Sequence, residues 1–433
     1  MTAAEDARPP AAAEDSRPPA PRLPRPFVVA LMLAYFGTNV ALFAPIQNVL
    51  PRMIEADTGA AGKALGLGVV TGLGALAAMI VNVLAGHVSD RWVARDNRSV
   101  TVLAGLVAGG LSLAILGSQR SVAGIAIWWT LCQATINIAY SPMSAIVVDQ
   151  INRRSWGLVW GLISVAQAVG LIVGFATVVL EFPSTRAGMT AVTCIYAVCL
   201  APLVLVLYLL PRVSYKAAPT GERPGIAALL SAGQGFSLVW LGKFLVMLAE
   251  SIALLYLYYY LQDVVHYGNP GEGQLILVLT ATAAVIVATV AVGRVADRSG
   301  SYRRYAVLAA ALMAATGFAL AGIATWALVI VCAFALGAGY GAFQSVSQAL
   351  SMVVLPDQAS AGRDLGIINI ASAVPQVMGP PVAGVVVASG VGYRGLFAFA
   401  GVLAAAAAVV FTRVPRSPGT GQGARAGLGS LVR

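Results

Sequence analysis

Apolar stretches follow one another along this chain with little between them. From residue 27 onward the hydrophobic positions gather into runs at 27–50, 64–86, 99–117, 122–148, 156–180 and 188–211. After a polar loop they resume at 236–262, 273–292, 305–324, 326–354, 366–389 and 395–412. Most of these runs have about the 20 residues that a helix needs to cross the hydrocarbon core of a bilayer. Lipid offers backbone N–H and C=O groups no partner, so a spanning segment satisfies them within itself, and runs of this length predict helices. The short alternating segments of a membrane β-barrel are not seen. The pattern predicts an all-α membrane protein with twelve transmembrane helices in two sets of six. The organisation expected is a disordered tail over 1–25, a first bundle over 26–211, a linker over 212–235, a second bundle over 236–413 and a disordered tail over 414–433. The linker carries Lys216, Pro219, Glu222, Arg223 and Pro224, and the tails are rich in Pro and Ala or in Gly, Ser and Arg, compositions that do not build a packed core. The first 25 residues lack the basic start and short apolar core of a signal peptide.

Composition agrees. Of the 433 residues, 59% are hydrophobic and 10% charged, and the mean hydropathy is +0.83, whereas soluble domains carry about 25% charged residues. The net charge of +10 does not indicate nucleic acid, because the basic residues sit in the short segments between runs, where they set topology. With the N-terminus inside, Arg91, Arg95, Arg98, Arg153, Arg154, Arg212, Lys216, Arg223, Arg294, Arg298, Arg303, Arg304, Arg363 and both tails are cytoplasmic. Arg52, Lys63, Arg120, Arg186 and Arg394 are then outside, a bias of roughly four to one in favour of that orientation. The four cysteines, Cys132, Cys194, Cys199 and Cys332, all fall inside apolar runs without zinc or CxxC spacing and read as packing residues.

The two sets of six echo each other. Gly86-His87-Val88-Ser89-Asp90-Arg91 recurs as Gly293-Arg294-Val295-Ala296-Asp297-Arg298, both G-x-V-x-D-R between apolar runs. Asp149-Gln150 recurs as Asp357-Gln358, and Arg154, Gly157, Gln167 and Gly170 recur as Arg363, Gly366, Gln376 and Gly379, at offsets of 207 to 209 positions. The recurrence argues for two similar halves facing each other, with a site near the midplane between them. The G-x-V-x-D-R stretch, together with the spacing of the runs, resembles the major facilitator superfamily, in which such a loop joins helices 2 and 3 and a weaker copy joins helices 8 and 9. The first copy departs from the family in having Val93 where Gly is usual. The resemblance implies the superfamily fold, two pseudo-symmetric six-helix bundles, and a cytoplasmic latch to which Gly86, Asp90, Arg91, Gly293, Asp297 and Arg298 belong. Asp149, Arg154, Asp357 and Arg363 are expected as further latch members. The chemistry suits a latch: an Asp can accept from the free N–H groups at a helix N-terminus, and an Arg can pair with a carboxylate across the halves. The alternative is that these charges only enforce orientation.

Ionisable groups deep in an apolar run are costly in lipid and mark pathways or proton sites. Lys243 and Glu250 are the two clearest. Seven residues apart, they share a helix face about 10 Å apart along the axis, with Met247, Leu254 and Tyr258 on the same face. Lys243 also reads as a residue that snorkels to the headgroups; Glu250 is deeper and is the expected proton-coupling or solute-binding carboxylate. The fourth run carries Thr130, Gln133, Asn137, Ser141 and Ser144 as a polar stripe, the tenth carries Gln344, Gln348 and Ser351, and the first carries Tyr35 and Asn39 with a kink expected at Pro45. The resemblance implies that the first, fourth, seventh and tenth helices line the cavity. Tyr35, Asn39, Gln133, Asn137, Lys243, Glu250, Tyr258, Gln344 and Gln348 are therefore the candidate substrate-binding residues, with interhelical hydrogen bonding as the competing role.

The chain shows no catalytic constellation. His87 and His266 are its only histidines, with no nucleophile elbow or acid dyad, and no cofactor or metal site is expected. The glycines at 66, 68, 72 and 74 and at 337, 339 and 341 lie inside apolar runs and no G-x-x-x-x-G-K-[ST] occurs, so helix packing is the better account and an ion gradient the expected energy source. The reading is a secondary active transporter of alternating-access type, proton-coupled and functional as a monomer, in a bacterial cytoplasmic membrane among lipids. It moves a small polar or amphipathic solute, with symport-like import favoured over drug or metabolite efflux. Drug antiporters of the superfamily usually carry Arg in an R-x-x-Q-G pattern on the fourth helix, where this chain has Thr130, Gln133 and Ala134, and a Gly-Pro-rich fifth helix, whereas Gly379-Pro380-Pro381 lies on the eleventh. The segment from Leu355-Pro356 to Pro375-Gln376 is loosely similar to sugar–proton symporter-like permeases. A membrane enzyme or non-transporting sensor is the reading from another class.

Overall fold

A computed structural model describes residues 25–93, 98–150, 156–181, 184–209, 234–322, 324–353 and 361–415. The expected linker core and both tails lie outside this set. The first half comprises α1 (Arg25–Ala44), α2 (Leu50–Val93), α3 (Arg98–Leu116), α4 (Val122–Gln150), α5 (Trp156–Ala176) and α6 (Thr185–Leu209). The second comprises α7 (Gln234–Leu255), the short α8 (Leu257–Asp263), α9 (Pro270–Ser299), α10 (Tyr302–Gly322), α11 (Trp326–Val353), α12 (Ala361–Val386) and α13 (Gly392–Thr412). Among the described residues nine continuous stretches are long and apolar enough to cross a membrane. Two of them, 26–82 and 370–412, each hold a pair of spans, and the shorter Val100–Leu116 completes the set.

The helix ends follow local chemistry. The first two spans run together because the segment expected as a loop is helical on both sides of one break, at Gly59, whose φ of 64° favours glycine. Pro45 opens a π-helical turn (Pro45–Val49) between α1 and α2, the disruption that a helix-interior proline imposes. Asn269 caps α9 by accepting from the Glu272 N–H, Pro270 occupies its first turn, and Gly300 ends it with a φ of 61°. The seventh run is not one helix. It breaks at Tyr256 (φ −97°, ψ 8°) between α7 and α8. Hydroxyls and amides inside the spans bond the carbonyl one turn back, as with Thr38 to Ala34, Thr71 to Leu67 and Ser112 to Ala108, which satisfies them without water.

Packing repeats between the halves. In the first, α1 lies against α5 and α6, α4 against α2 and α3, and α3 against α6. In the second, α7 lies against α12 and α13, α11 against α9 and α10, and α10 against α13. These are the same five pairings in each bundle. Two helix pairs among the described residues that join the halves, α2 with α12 and α5 with α9, exchange under the same correspondence. Both bundles bury large aromatic side chains, with Trp129 and Tyr196 in the first and Phe343, Phe397 and Phe411 in the second all fully buried. Side chains such as Ile127, Val198, Leu205, Val287 and Val331 are largely exposed, the outward apolar surface that lipid covers. Small residues set the closest approaches: a Cβ on Gly337 would collide with the Ala281 backbone, and one on Gly105 would lie 2.6 Å from Ala139 Cβ.

Candidate functional site

On the face of α7 that meets α12, Glu250 is half-buried, and Gln376 Nε2 donates to its Oε2 at 3.3 Å. Both residues stood out in the sequence, and the fold brings them together because α7 and α12 pack side by side. Lys243 is 4% exposed, without an ion pair or hydrogen bond among the described residues. Met247 is buried and Leu254 half-buried on the same face. Tyr258 does not continue that face, because the break at Tyr256 resets the helical register. Tyr258 instead meets Tyr259 edge-on, with ring centroids 5.7 Å apart, among the tyrosines beyond the break. Gln344 on α11 is exposed, as is Gln376; the side chain of Gln348 lies outside the described set.

In the first half, Tyr35 is fully buried and edge-on to Tyr140 of α4, with centroids 5.4 Å apart. Gln167 of α5 donates to the Tyr140 hydroxyl at 2.8 Å. Tyr140 was not singled out in the sequence, because an aromatic on an apolar helix reads as core until its hydroxyl finds a partner. Asn39 donates to the Tyr35 carbonyl. Asn137 donates to the Gln133 carbonyl at 2.7 Å and accepts from Asn82 of α2 at 2.8 Å. In this conformation Asn137 ties α2 to α4, the interhelical role weighed against ligand binding. The cluster of Tyr35, Tyr140 and Gln167 and the pair of Glu250 and Gln376 lie in opposite halves.

Of the expected latch, Gly86, Asp90 and Arg91 lie on α2, Asp149 on α4 and Arg363 on α12, their side chains outside the described set. Arg154 and Asp357 lie outside the described residues. The second copy is visible. Gly293 is inside α9, and the chain turns at Gly300 instead. Asp297 accepts from the Tyr302 hydroxyl at 3.0 Å, and Arg298 is exposed. Arg303 donates to the carbonyls of Thr412 and Val414, which caps the C-terminal end of α13 where its dipole favours a cation.

The described contacts between halves concentrate at the opposite end of the bundle from Asp297. Lys63 of α2 donates to Glu55 of its own half and to Asp263 of the other, both at 2.9 Å, and sits 4.7 Å from the centre of the Tyr259 ring. Gln262 donates to Glu55 at 2.8 Å. The Tyr259 hydroxyl reaches the Pro51 carbonyl at 2.8 Å, and the Tyr256 hydroxyl the Ala64 and Pro380 carbonyls at 2.8 and 3.3 Å. Gln274 donates to Gln47 at 2.6 Å, and Phe175 of α5 packs with Leu275 and Val278 of α9. This closed face was missed in the sequence, where Lys63 counted only as a loop charge. The signal available was a lysine eight residues past a glutamate at the edge of an apolar run.

The model of the Major Facilitator Superfamily matches residues 27–287 and 239–433. The chain belongs to the major facilitator superfamily. It is thus a multi-pass membrane transporter of small solutes, not an enzyme, and has the superfamily's twelve-helix, two-bundle fold. Among solved structures of similar fold is a bacterial homologue of the human lysosomal transporter Spinster, inward-facing and occupied, with a TM-score of 0.71 and 12% identity over 91% of this chain and 98% of that one. A variant of the nucleoside transporter NupG has a TM-score of 0.73 and 13% identity over 90% and 99%. At these identities the likeness is one of fold. A 113-residue stretch is 32% identical to the multidrug resistance protein Stp of Mycobacterium tuberculosis, covering 25% of this chain and 20% of that protein. The match therefore spans about a fifth of the relative's length.

Proposed function

We propose that this superfamily member is a secondary active transporter that alternates access to a midplane site and couples transport to protons through Glu250. The observation that carries the reading is the setting of Glu250. It lies about 24 Å along α7 from the helix start, and Gln376 is its one hydrogen-bond partner among the described residues. A carboxyl so placed, with no fixed counter-charge among the described residues, can hold a proton or a positively polarised group of the solute in turn. Tyr35, Asn39, Gln133, Asn137, Lys243, Tyr258, Gln344 and Gln348 remain the proposed solute contacts, with Asn137 and Tyr258 the most committed elsewhere in this conformation. Gly86, Asp90, Arg91, Asp149, Arg154, Gly293, Asp297, Arg298, Asp357 and Arg363 are the proposed cytoplasmic latch. In the proposed topology the chain sits in a bacterial cytoplasmic membrane with both termini inside and works as a monomer, with bundles 26–211 and 236–413. The closed face then points outward.

Import of a small polar or amphipathic solute is the preferred direction, because the fourth-helix Arg and the Gly-Pro-rich fifth helix of drug antiporters are missing. Efflux of a drug or metabolite is the second reading, and the similarity to Stp favours it. Cells overproducing the protein decide: accumulation of a labelled sugar-like solute, abolished in Glu250→Gln, supports the symporter, and exclusion of a cationic dye overturns it in favour of efflux. Thiol labelling at residues 86–98 and 293–304 tests the topology, which fails if those segments label from opposite sides of the membrane.

A further inference from the structure

Lys63 begins the second span just past the Gly59 break, and its side chain is 3% exposed, whereas those of Glu55 and Asp263 are 25% and 36% exposed. Two carboxylates share this one buried ammonium, and they belong to different bodies. Glu55 and Lys63 both stand in α2, on either side of Gly59, so they move together. Asp263 ends α8 in the other half. When the halves part on this side, the contacts of Lys63 with Asp263 and with the Tyr259 ring break, as does the bond from Gln262 to Glu55, and the contact of Lys63 with Glu55 is kept.

We propose that Lys63 is a positioning residue of the transport cycle, the release point of the closed face, and that its two carboxylates bias the gate in opposite directions. Asp263 holds the face shut, because its attraction to Lys63 exists only while the halves touch. Glu55 eases the face open, for two reasons. It keeps the ammonium paired after Asp263 departs, so opening costs Lys63 only one of its two ion pairs. It also puts a second negative charge beside the first in the closed state, giving the cluster of Glu55, Lys63 and Asp263 a net charge of −1 that relaxes on separation. An amide at position 55 still accepts from Gln262 and Lys63 but supplies neither effect. The assignment rests on the alternating-access reading and is independent of the solute, the coupling ion and which side of the membrane the face points to.

Hydrogen–deuterium exchange of the full-length chain in lipid nanodiscs tests it. Asp263→Asn is expected to raise deuterium uptake over residues 45–58 and 256–266, with the open-to-closed ratio rising about tenfold, the worth of one charge-assisted hydrogen bond. Glu55→Gln is expected to lower uptake over the same segments by a similar factor. Asp263→Glu, which restores the charge, is expected to follow the wild type. If both neutral variants shift uptake in the same direction, or Glu55→Gln leaves it unchanged or raised, the assignment is wrong. Should Asp263→Asn not fold, the direction of the Glu55→Gln change decides alone. Opposite shifts in a protein that transports no tested solute would leave this assignment standing and the proposed function in question.

Discussion

Gly68 offers the sharpest test of how the closed face is built. It lies where α2 crosses α12, and a Cβ there would stand 2.6 Å from the Pro380 carbonyl oxygen, 2.9 Å from the Tyr256 hydroxyl and 3.3 Å from Gly384 Cα. The first and last of these are backbone atoms that cannot swing aside, so Gly68→Ala must push the two helices apart. Overpacking of this kind costs about 1–3 kcal/mol. The cost falls only on the conformation in which α2 and α12 touch at this end. Separation also stretches the Tyr256 bridge to Ala64 and Pro380, whose bonds contribute about 0.5–1.5 kcal/mol each. The overpacking alone shifts the closed-to-open ratio on the order of tenfold to a hundredfold toward the open face, since about 1.4 kcal/mol is a factor of ten. The assay is deuterium uptake over residues 45–58 and 256–266, set beside thermal stability in the same lipid. Gly337→Ala is the matched control: its Cβ meets the Ala281 backbone inside one half, so it lowers the melting temperature and leaves the ratio alone. If Gly68→Ala lowers the melting temperature as Gly337→Ala does, with uptake at the closed face unchanged, then Gly68 packs a permanent interface and the reasoning fails.

Other sites give separable outcomes. Glu250→Gln should abolish proton-driven accumulation while exchange of labelled for unlabelled solute across vesicles persists; loss of both would make Glu250 a solute contact without a coupling role. Asn137→Ala removes the hydrogen bond that joins α4 to the exposed Asn82 of α2, at about 0.5–1.5 kcal/mol for one hydrogen bond. A lowered melting temperature with unchanged solute affinity supports the structural role, and lost affinity in a stable variant restores the ligand role. Arg303→Ala removes the cap on α13, so exchange at residues 408–414 should rise with transport retained; unaltered protection there would show the cap to be idle.

Most of the fold was legible because lipid leaves the chain few choices. The twelve runs read from hydropathy alone end within a few residues of the observed spans over most of the chain, since an unsatisfied backbone in hydrocarbon is prohibitive. What hydropathy could not convey was continuity and register. Glu55, Asp57 and Arg52 read as a loop because they are polar, yet helical backbone runs through them to Gly59. The seventh run reads as one helix because nothing in its composition marks Tyr256, and the break there moves Tyr258 off the Glu250 face. Gln376 was recognisable as the repeat of Gln167, but its pairing with Glu250 rather than with a tyrosine is a property of how α12 meets α7. The closed face was the least legible part. Its members come from both halves, and no spacing along the chain connects Lys63 to Asp263 or Gln47 to Gln274.

The make-up of that face explains how one interface can both hold and let go. Within each half, helices bury large apolar side chains, as Phe343 does against Phe411, and such contacts have no reason to separate. Between the halves, polar contacts are prominent. Phe175, Leu275 and Val278 form a small apolar patch there, and glycine, proline, tyrosine hydroxyls, amides and one shared ammonium also meet across it. Four buried side-chain polar atoms lack a partner among the described residues, and three of them, Asn48 Oδ1, Gln262 Oε1 and Gln274 Oε1, lie in this face. Each unsatisfied group costs about 1–3 kcal/mol while the face is shut and recovers hydration once water enters. Closure is thus favoured by helix contact and the Lys63–Asp263 pair and opposed by stranded acceptors and paired carboxylates. A gate whose opposing contributions are of similar size can be tipped by a solute that favours one state by only a few kcal/mol, about what a population shift between two states requires. A face sealed by apolar packing alone would be harder to open and would leave α2 and α12 permanently joined.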